Sequence, residues 1–249
     1  MPFETIAVET SPRGVMTITL NRPERGNAIN ERMRAELTDV LRNASADEHI
    51  RAVVLRANGR HFCAGADVSG PRTPDDAPGP RPPSLGEMLD AIDTCGKPVI
   101  AVVQGAAAGG GAGIAGVCDV VVALEGSFFS IPEVRMGFAP GGLQAILMRA
   151  IGARQYRRYA ISGERIPAQT ALRIGLAHEV CAPDKLDALL ADVIEACMLG
   201  APQAQGLIKQ AVASAVAGEP FDLAHGMASP EAQEGIAAFK EKRKPAWYR

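Results

Sequence analysis

The glycine-rich stretch GAAAGGGAGIAGVCD, which runs from Gly105 to Asp119, is the first part of the sequence that could do chemistry. Glycine is unfavourable inside a helix, so a stretch this rich in glycine indicates that something approaches the backbone closely. Three uses fit it: a cradle for a phosphate, close packing against another backbone, or backbone N–H groups that point at a reacting atom.

The spacing of the flanking strands argues against a phosphate cradle. Residues 111–116 match the G-x-G-x-x-G pattern of dinucleotide folds, but that pattern should follow its strand closely and open a long helix. Here the preceding strand is predicted to end near Gln104 and the next to begin near Val120. The spacing favours a short helix over about 109–118, whose first N–H groups have no partners within the helix. They suit an oxyanion hole, in which each donor contributes about 3 kcal/mol, although tight helix packing without chemistry fits the glycines equally well.

A second loop favours the chemical interpretation. The segment FCAGAD (62–67) follows the predicted strand AVVLR (52–56) and joins small residues to a glycine. Ligand sites of α/β folds gather at the carboxyl ends of the strands. The two loops could therefore meet there, with each supplying a backbone N–H group.

Strands and helices alternate along much of the chain, which predicts an α/β fold with parallel strands and helical crossovers. Strands are predicted at 6–10, 15–20, 52–56, 98–104 and 120–124. Helices are predicted from a cap at Asn30 to about Ala44, from the capping box SLGE (84–87) to about Cys95, between Pro167 and Gly175, and over 183–199, 202–216 and 230–243. An α/β core is thus expected over residues 1–181 and a helical C-terminal region over 182–249. Residues 71–83 contain six prolines and are expected to form an exposed flexible loop.

The composition argues against several classes of protein. The 249 residues carry a formal net charge of -2, so the chain lacks the excess positive charge that is typical of nucleic-acid-binding proteins. Five cysteines, odd in number and scattered in apolar surroundings, indicate reduced, buried thiols in a cytoplasmic protein. Neither the cysteines nor the four histidines show metal-ligand spacing, and the N-terminus MPFETIAVET does not resemble a signal peptide. The uncharged run 98–118 is only weakly apolar, so it is interpreted as two buried elements joined by a turn rather than as a membrane span.

Six blocks of sequence, in their order along the chain, resemble the enoyl-CoA hydratase/isomerase (crotonase) superfamily. They are NRPERGNAIN (21–30), RAVVLRANGRHFCAGADVSG (51–70), KPVIAVVQGAAAGGGAGIAGVCDVVVA (97–123), FFSIPEVRMGFAPGG (128–142), ISGERIPAQTALRIGLAHEV (161–180) and IAAFKEKRKPAW (236–247). The resemblance implies a spiral of ββα turns with a helical C-terminal trimerisation region, assembled as a homotrimer or a dimer of trimers. It also implies an acyl-CoA substrate and no separate cofactor, because coenzyme A is part of the substrate.

The resemblance assigns catalytic roles to three residues. Ala66 and Gly110 match the two oxyanion donors, whose backbone N–H groups hold the thioester oxygen as it becomes an enolate. Glu133, in the segment PEVRMG, matches an acid/base of the family. Its apolar neighbours, which include Phe129 and Val134, are expected to desolvate the carboxylate and raise its pKa.

The resemblance also implies which residues contact the substrate. Ala28 and Ala64 lie on segments that would line the coenzyme A moiety, and Phe239 and Lys242 lie on a C-terminal helix that would close over the nucleotide. The other positions expected to contact the substrate are Asp67, Gly109, Gly113, Pro132 and Gly141.

The sequence departs from the hydratase pattern at two of these positions. Well-known hydratases of the family carry a second glutamate where this chain has Gly113, and some relatives carry an aspartate where it has Gly141. Glu133 is then the only acid among the matched positions. Asp67 and Glu164 are candidate substitutes, although Asp67 is better explained as a turn-stabilising residue and Glu164 as an exposed one.

Three functions therefore stay open. A hydratase is favoured because SIPEVRMGFAP and AGIAGVCDVVVA look closer to hydratases of branched or carboxylated enoyl-CoAs. An isomerase that shifts a double bond between positions 3 and 2 also fits, since one glutamate is enough to move a proton between two carbons. The third function is a non-catalytic acyl-CoA-binding homologue. The proline-rich loop is expected to be a surface insertion rather than a lid over the acyl group.

Overall fold

The chain forms a six-stranded and a three-stranded sheet in a computed structural model that describes residues 3–69, 81–221 and 227–248. The strands are β1 (Ile6–Thr10), β2 (Val15–Leu20), β3 (Ala52–Ala57), β4 (Val99–Val103), β5 (Ala106–Ala108), β6 (Val120–Leu124), β7 (Phe128–Ser130), β8 (Ile166–Pro167) and β9 (Glu179–Cys181). The helices are α1 (Glu31–Ala46), α2 (Leu85–Asp93), α3 (Gly110–Val117), α4 (Gln144–Ser162), α5 (Ala168–Ile174), α6 (Leu186–Leu199), α7 (Pro202–Ala217) and α8 (Pro230–Glu241). Short 3-10 turns cover Pro23–Arg25, Pro132–Met136 and Pro183–Lys185.

The larger sheet is parallel apart from one edge strand. Within the described residues its order is β1-β2-β3-β4-β6-β9, and only β1 and β2 pair antiparallel. The smaller sheet has the order β5-β7-β8, in which β5 and β7 are parallel. The predicted alternation of strands and helices is confirmed, because parallel neighbours need a crossover between them.

The starts of α1 and α2 follow the capping signals in the sequence. The Asn30 side chain accepts a hydrogen bond from Met33 N–H at 2.9 Å, and α1 begins at the next residue. Ser84 and Glu87 form a reciprocal capping box at the start of α2. α2 ends at Asp93, slightly before the predicted boundary.

The predicted short helix in the glycine stretch is confirmed as α3, within one residue at each end. α5 lies between Pro167 and Gly175, also as predicted. The last strand ends at Cys181, and the helices α6, α7 and α8 follow it. The division into a core over 1–181 and a separate helical region over 182–249 stays a prediction, as does trimerisation through the latter.

The hydrophobic core has two parts, on opposite faces of the larger sheet. Val53 and Leu55 of β3 belong to the main cluster, which includes buried residues of α1 to α4. Val54 belongs to the second cluster, which α6 covers through Leu186. Successive side chains of a strand point to opposite faces, so β3 is buried on both sides and its sequence is apolar throughout.

The five cysteines are all unpaired, and four of them are buried as expected. Cys197 on α6 is only partly buried, which corrects the expectation for that residue, because α6 has one face in solvent. Burial raises the pKa of the Cys63 thiol to about 12. A thiol with so high a pKa is a structural apolar group rather than a nucleophile.

The sequence predicted two buried elements in an uncharged run and an exposed loop in a proline-rich one. The uncharged run 98–118 forms β4, β5 and α3, and no helix among the described residues is long and apolar enough to cross a membrane. The proline-rich loop was expected over 71–83, and residues 70–80 lie outside the described part of the chain. Arg81, which follows them, forms an ion pair with Glu87 of α2.

Candidate active site

The loops that follow β3 and β4 meet at the carboxyl ends of these two strands. β3 and β4 are parallel neighbours, so both loops leave the larger sheet at the same end of its strands. Cys63 N–H donates a hydrogen bond to Ala106 O at 3.0 Å, and Ala108 N–H donates one to Cys63 O at 2.9 Å. This parallel bridge joins the FCAGAD loop to β5, immediately before the glycines of α3.

Glycines allow the two loops to approach each other closely. A Cβ atom on Gly111 would lie 2.6 Å from Cys63 O. Gly65 has a φ of +104°, and a Cβ atom there would lie 3.2 Å from Ala108 O. Part of the glycine pattern therefore serves backbone packing, which is one of the uses that the sequence left open.

The N–H groups of Ala66 and Gly110 have no acceptor within the parts of the chain that the structure describes. Gly110 is the first residue of α3, where the N–H group points out of the helix end. Ile29 contacts both segments: it forms a parallel bridge with Ala66, and its Cδ1 lies 2.8 Å from the place of a Cβ atom on Gly110. The two unpaired donors therefore lie on two segments that both contact Ile29.

Glu133 reaches the same loops from the smaller sheet. β5 and β7 pair with Ala108 opposite Ser130, and Gly109 N–H donates to Ser130 O at 2.9 Å. Glu133 lies in the 3-10 turn that follows β7. Its Oε1 lies 2.6 Å from the place that a Cβ atom on Gly109 would take. The carboxylate thus lies against the backbone next to the Gly110 donor.

The Glu133 carboxyl group is buried and poorly solvated. The residue is 7% exposed, and its Oε2 has no hydrogen-bond partner among the described residues. Burial raises the pKa of Glu133 above its usual value near 4.5, because the charged form loses its contact with water. A carboxyl group whose pKa moves towards neutrality is a better proton donor and acceptor near neutral pH.

The place of the second hydratase glutamate is closed in this chain. A Cβ atom on Gly113 would lie 2.5 Å from Leu143 Cδ2 and 3.3 Å from Leu89 Cδ1, and both leucines are in the main core. At Gly141 the opposite holds, since no atom lies within 4 Å of the place of a Cβ atom. Glu133 therefore faces no second carboxylate at Gly113, and the space there is apolar.

The Gly113→Glu variant is expected to lose stability without gaining hydration activity. The new side chain would overlap Leu143, and overpacking a core costs about 1–3 kcal/mol. Urea unfolding and the hydration of crotonyl-CoA measure the two effects. The double variant Gly113→Glu/Leu143→Ala removes the overlap and should be more stable than the single variant. A single variant with wild-type stability and faster hydration would show that the leucines do not close this place.

Neither candidate substitute acid is suited to proton transfer. Asp67 accepts hydrogen bonds from Arg22 at 2.9 Å and from Ser69, and these bonds lower its pKa to about 2. It stabilises its turn, as the sequence suggested. Glu164 keeps 40% of its side chain exposed, and its hydrogen bond with Arg158 lowers its pKa. Of the carboxylates singled out in the sequence, Glu133 alone has a raised pKa.

The remaining predicted substrate contacts fall into two groups. Ala28, Ala64 and Pro132 lie on the segments that form the site, and all three retain contact with solvent. Phe239 is 85% exposed on α8, where it borders a groove between α7 and α8, and Lys242 caps the end of α8. That groove does not include the Glu133 turn, so closure of α8 over a nucleotide stays a prediction.

Sequence reasoning missed Tyr156 on α4. The residue is buried, and it lines a cavity of about 670 Å³ together with Val134 and Phe138. Burial and the negative charge of Glu133 raise the pKa of Tyr156. The sequence carries little signal for α4, because its backbone is non-helical at Gly152 and its apolar period is interrupted there.

Comparisons with known proteins show the family of the chain. A family model described as Enoyl-CoA hydratase/isomerase matches residues 10–249. The chain is 35% identical to a probable enoyl-CoA hydratase of Rhizobium meliloti (strain 1021), with 98% of both chains covered. It is 36% identical to the enoyl-CoA hydratase ACTT6 of Alternaria alternata over 79% of this chain, and it spans 65% of that protein's length. A crystal structure of an enoyl-CoA hydratase/isomerase from Marinobacter aquaeolei is similar with a TM-score of 0.87 and 32% identity, over 98% of this chain and 99% of that one.

This chain belongs to the enoyl-CoA hydratase/isomerase family, as its sequence motifs predict. Its mixed α/β architecture is the crotonase fold of the solved structures that it resembles. The family name covers two reactions, so the site itself has to distinguish between them.

Proposed function

We propose that the protein is an enoyl-CoA hydratase-type enzyme in which Glu133 is the general acid/base. One observation carries the proposal: a buried carboxyl group with an unpartnered oxygen lies against the backbone next to an unpaired helix N–H group. An unpartnered buried carboxylate is costly, and functional sites are where such costs are found. Ala66 and Gly110 supply the two N–H groups that an enolate oxygen needs.

In the proposed hydration the thioester oxygen accepts hydrogen bonds from Ala66 N–H and Gly110 N–H. The Glu133 carboxylate takes a proton from water while the water oxygen bonds to C3 of the enoyl group. The electron pair of the double bond moves to C2 and onto the thioester oxygen as an enolate. Glu133, now protonated, returns the proton to C2, so one carboxyl group completes the addition.

The second candidate function is a double-bond isomerase, and the closed space at Gly113 favours it. Here the Glu133 carboxylate removes a proton from C2 of a 3-enoyl-CoA, and the two N–H groups hold the oxygen of the dienolate that results. The carboxylic acid then delivers the proton to C4, which leaves the double bond between C2 and C3. This reaction needs no water. The leucines beside Gly113 would give a water molecule no polar partner.

A panel of acyl-CoAs in heavy water tests the proposal. Straight, branched and carboxylated 2-enoyl-CoAs are incubated with the protein, as are 3-enoyl-CoAs, and the products are followed by mass spectrometry. A hydratase adds one molecule of heavy water to 2-enoyl-CoAs, which leaves deuterium on C2. An isomerase moves the double bond of 3-enoyl-CoAs and labels their carbon chain with deuterium without adding water. Binding of the panel with neither reaction would contradict both and support a non-catalytic acyl-CoA-binding protein.

Other parts of the proposal concern assembly and surroundings. We propose that coenzyme A is contacted by Ala28, Ala64, Phe239 and Lys242. We also propose that the reaction needs no separate cofactor, because coenzyme A is part of the substrate. We also propose a homotrimer or a dimer of trimers, supported by α7, a 16-residue helix with no buried residue in the described chain. The five unpaired thiols support a reducing, cytoplasmic location.

A further inference from the structure

Arg22 holds together two segments that the proposed function assigns to different parts of the substrate. One nitrogen of its guanidinium group, Nη1, donates to the carbonyl of Ala28, on the segment proposed to line coenzyme A. The other, Nη2, donates to Asp67 Oδ2 at 2.9 Å, directly after the Ala66 donor. The Arg22 and Asp67 side chains are only 15% and 7% exposed, so water does not weaken this ion pair as it would at the surface.

The backbone makes the same connection. Ile29 N–H donates to Gly65 O at 2.8 Å, and Asp67 N–H donates to Ile29 O at 2.9 Å. These bonds hold Ala66 between two anchored neighbours. Its N–H direction is therefore set by the segment that begins at Arg22.

Asn27 fixes the middle of that segment. It is fully buried with a φ of 55°, its side-chain oxygen accepts from Arg22 N–H, and its amide nitrogen donates to Asn58 O and His61 O. Residues 22–29 are thus tied to the loop after β3 at several points. A displacement at Ala28 reaches the loop that carries Ala66.

We infer that Arg22 is a positioning residue that couples the coenzyme A site to the oxyanion hole: the nucleotide part of coenzyme A contacts the Ala28 segment as well as α8, and its binding to that segment sets the Ala66 N–H group. The inference rests on the proposed function and goes beyond it, because it makes the nucleotide part of the substrate contribute to kcat. Binding energy from a part of the substrate far from the reacting carbons accelerates a reaction when it orders catalytic groups. A guanidinium group suits this task, since its planar fork contacts a carbonyl and a carboxylate together and a lysine ammonium does not offer that fork.

The test compares one enoyl group carried on coenzyme A and on pantetheine, which lacks the nucleotide. For the wild type we expect kcat to fall by about tenfold or more with the pantetheine thioester, as a misplaced oxyanion donor would cause. In Arg22→Met, kcat with the coenzyme A thioester should fall to about the pantetheine level, while kcat with pantetheine changes little. Arg22→Lys keeps the charge but lacks the planar fork. Its kcat with the coenzyme A thioester should therefore lie between those of the wild type and Arg22→Met.

A matched control and a second variant keep the test decisive. Arg149 forms a comparable ion pair with Asp93 at 2.7 Å, away from the Glu133 loops, so Arg149→Met should keep the wild-type ratio of the two kcat values. Asp67→Asn keeps the side-chain shape and removes only its charge, and it replaces Arg22→Met if that variant does not fold. If Arg22→Met or Asp67→Asn keeps the wild-type ratio of kcat with coenzyme A to kcat with pantetheine, the proposed coupling is overturned. A wild type that turns over neither thioester would contradict the proposed function itself.

Discussion

The Glu133→Gln variant is expected to lose about 10²- to 10⁴-fold in kcat, with a much smaller change in KM. Glutamine keeps the size of the side chain but neither takes nor returns a proton, and positioned acid/base groups contribute about that factor. Steady-state kinetics with whichever thioester the wild type turns over measures the loss. Glu164→Gln is the matched control, because Glu164 is paired with Arg158 at the surface and should keep wild-type kcat. A Glu133→Gln variant with wild-type kcat would show that another group moves the proton.

The same substitution is expected to stabilise the protein at neutral pH. Native Glu133 has a raised pKa, so the native state holds its proton more tightly than the unfolded state does. The contribution of Glu133 to wild-type stability is therefore lost as the pH rises from about 4.5 through the raised native pKa, and Glu133→Gln escapes this loss. The free energy of unfolding of the two proteins should agree at low pH and diverge above it. Equal stability at every pH would mean that Glu133 titrates normally.

The Gly109→Ala variant is expected to show the second large effect, in both stability and activity. Gly109 has φ 51° and ψ −115°, a conformation that costs a residue with a side chain about 1–3 kcal/mol. Its new methyl group would lie 2.6 Å from Glu133 Oε1, so the carboxylate or the start of α3 must move. A displacement of about 1 Å at a catalytic group can cost about 100-fold in rate.

Unfolding curves and kcat measured on the same preparation separate the two effects of Gly109→Ala. The control is Gly86→Ala near the start of α2, where the nearest atom to the new methyl group lies at 3.8 Å and φ is not positive. That variant should match or exceed wild-type stability, because alanine is favoured over glycine in a helix. If Gly109→Ala behaves like Gly86→Ala in both measurements, Glu133 does not lie against this backbone.

Local signals predicted much of the framework around the site. The distance between two apolar strands was enough to limit α3 to a short helix, and the capping residues Asn30 and Ser84 marked the starts of α1 and α2. The expectation that two loops meet followed from parallel pairing, and the bridge between Cys63 and Ala107 confirms it.

The remaining features depend on contacts between distant parts of the chain. β5 and β7 are three residues each, too short for an alternating pattern, and their pairing is what brings Glu133 to Gly109. The sequence showed that a carboxylate is missing at Gly113, but not that Leu143, thirty positions further along the chain, occupies its place. The contacts of Arg22 and Tyr156 are likewise visible only once α4 and the loops are packed together.

The most direct test of the account is the exchange of C2 hydrogens of a saturated acyl-CoA, such as butyryl-CoA, in heavy water. Exchange requires a base at C2 and donors that hold the enolate, and it does not depend on whether the full reaction is hydration or isomerisation. Proton NMR of the thioester, incubated with the protein, follows the loss of the signal of the C2 hydrogens. We expect exchange with the wild type and none above background with Glu133→Gln. Exchange at the wild-type rate in Glu133→Gln, or no exchange in a wild type that binds the thioester, would contradict it.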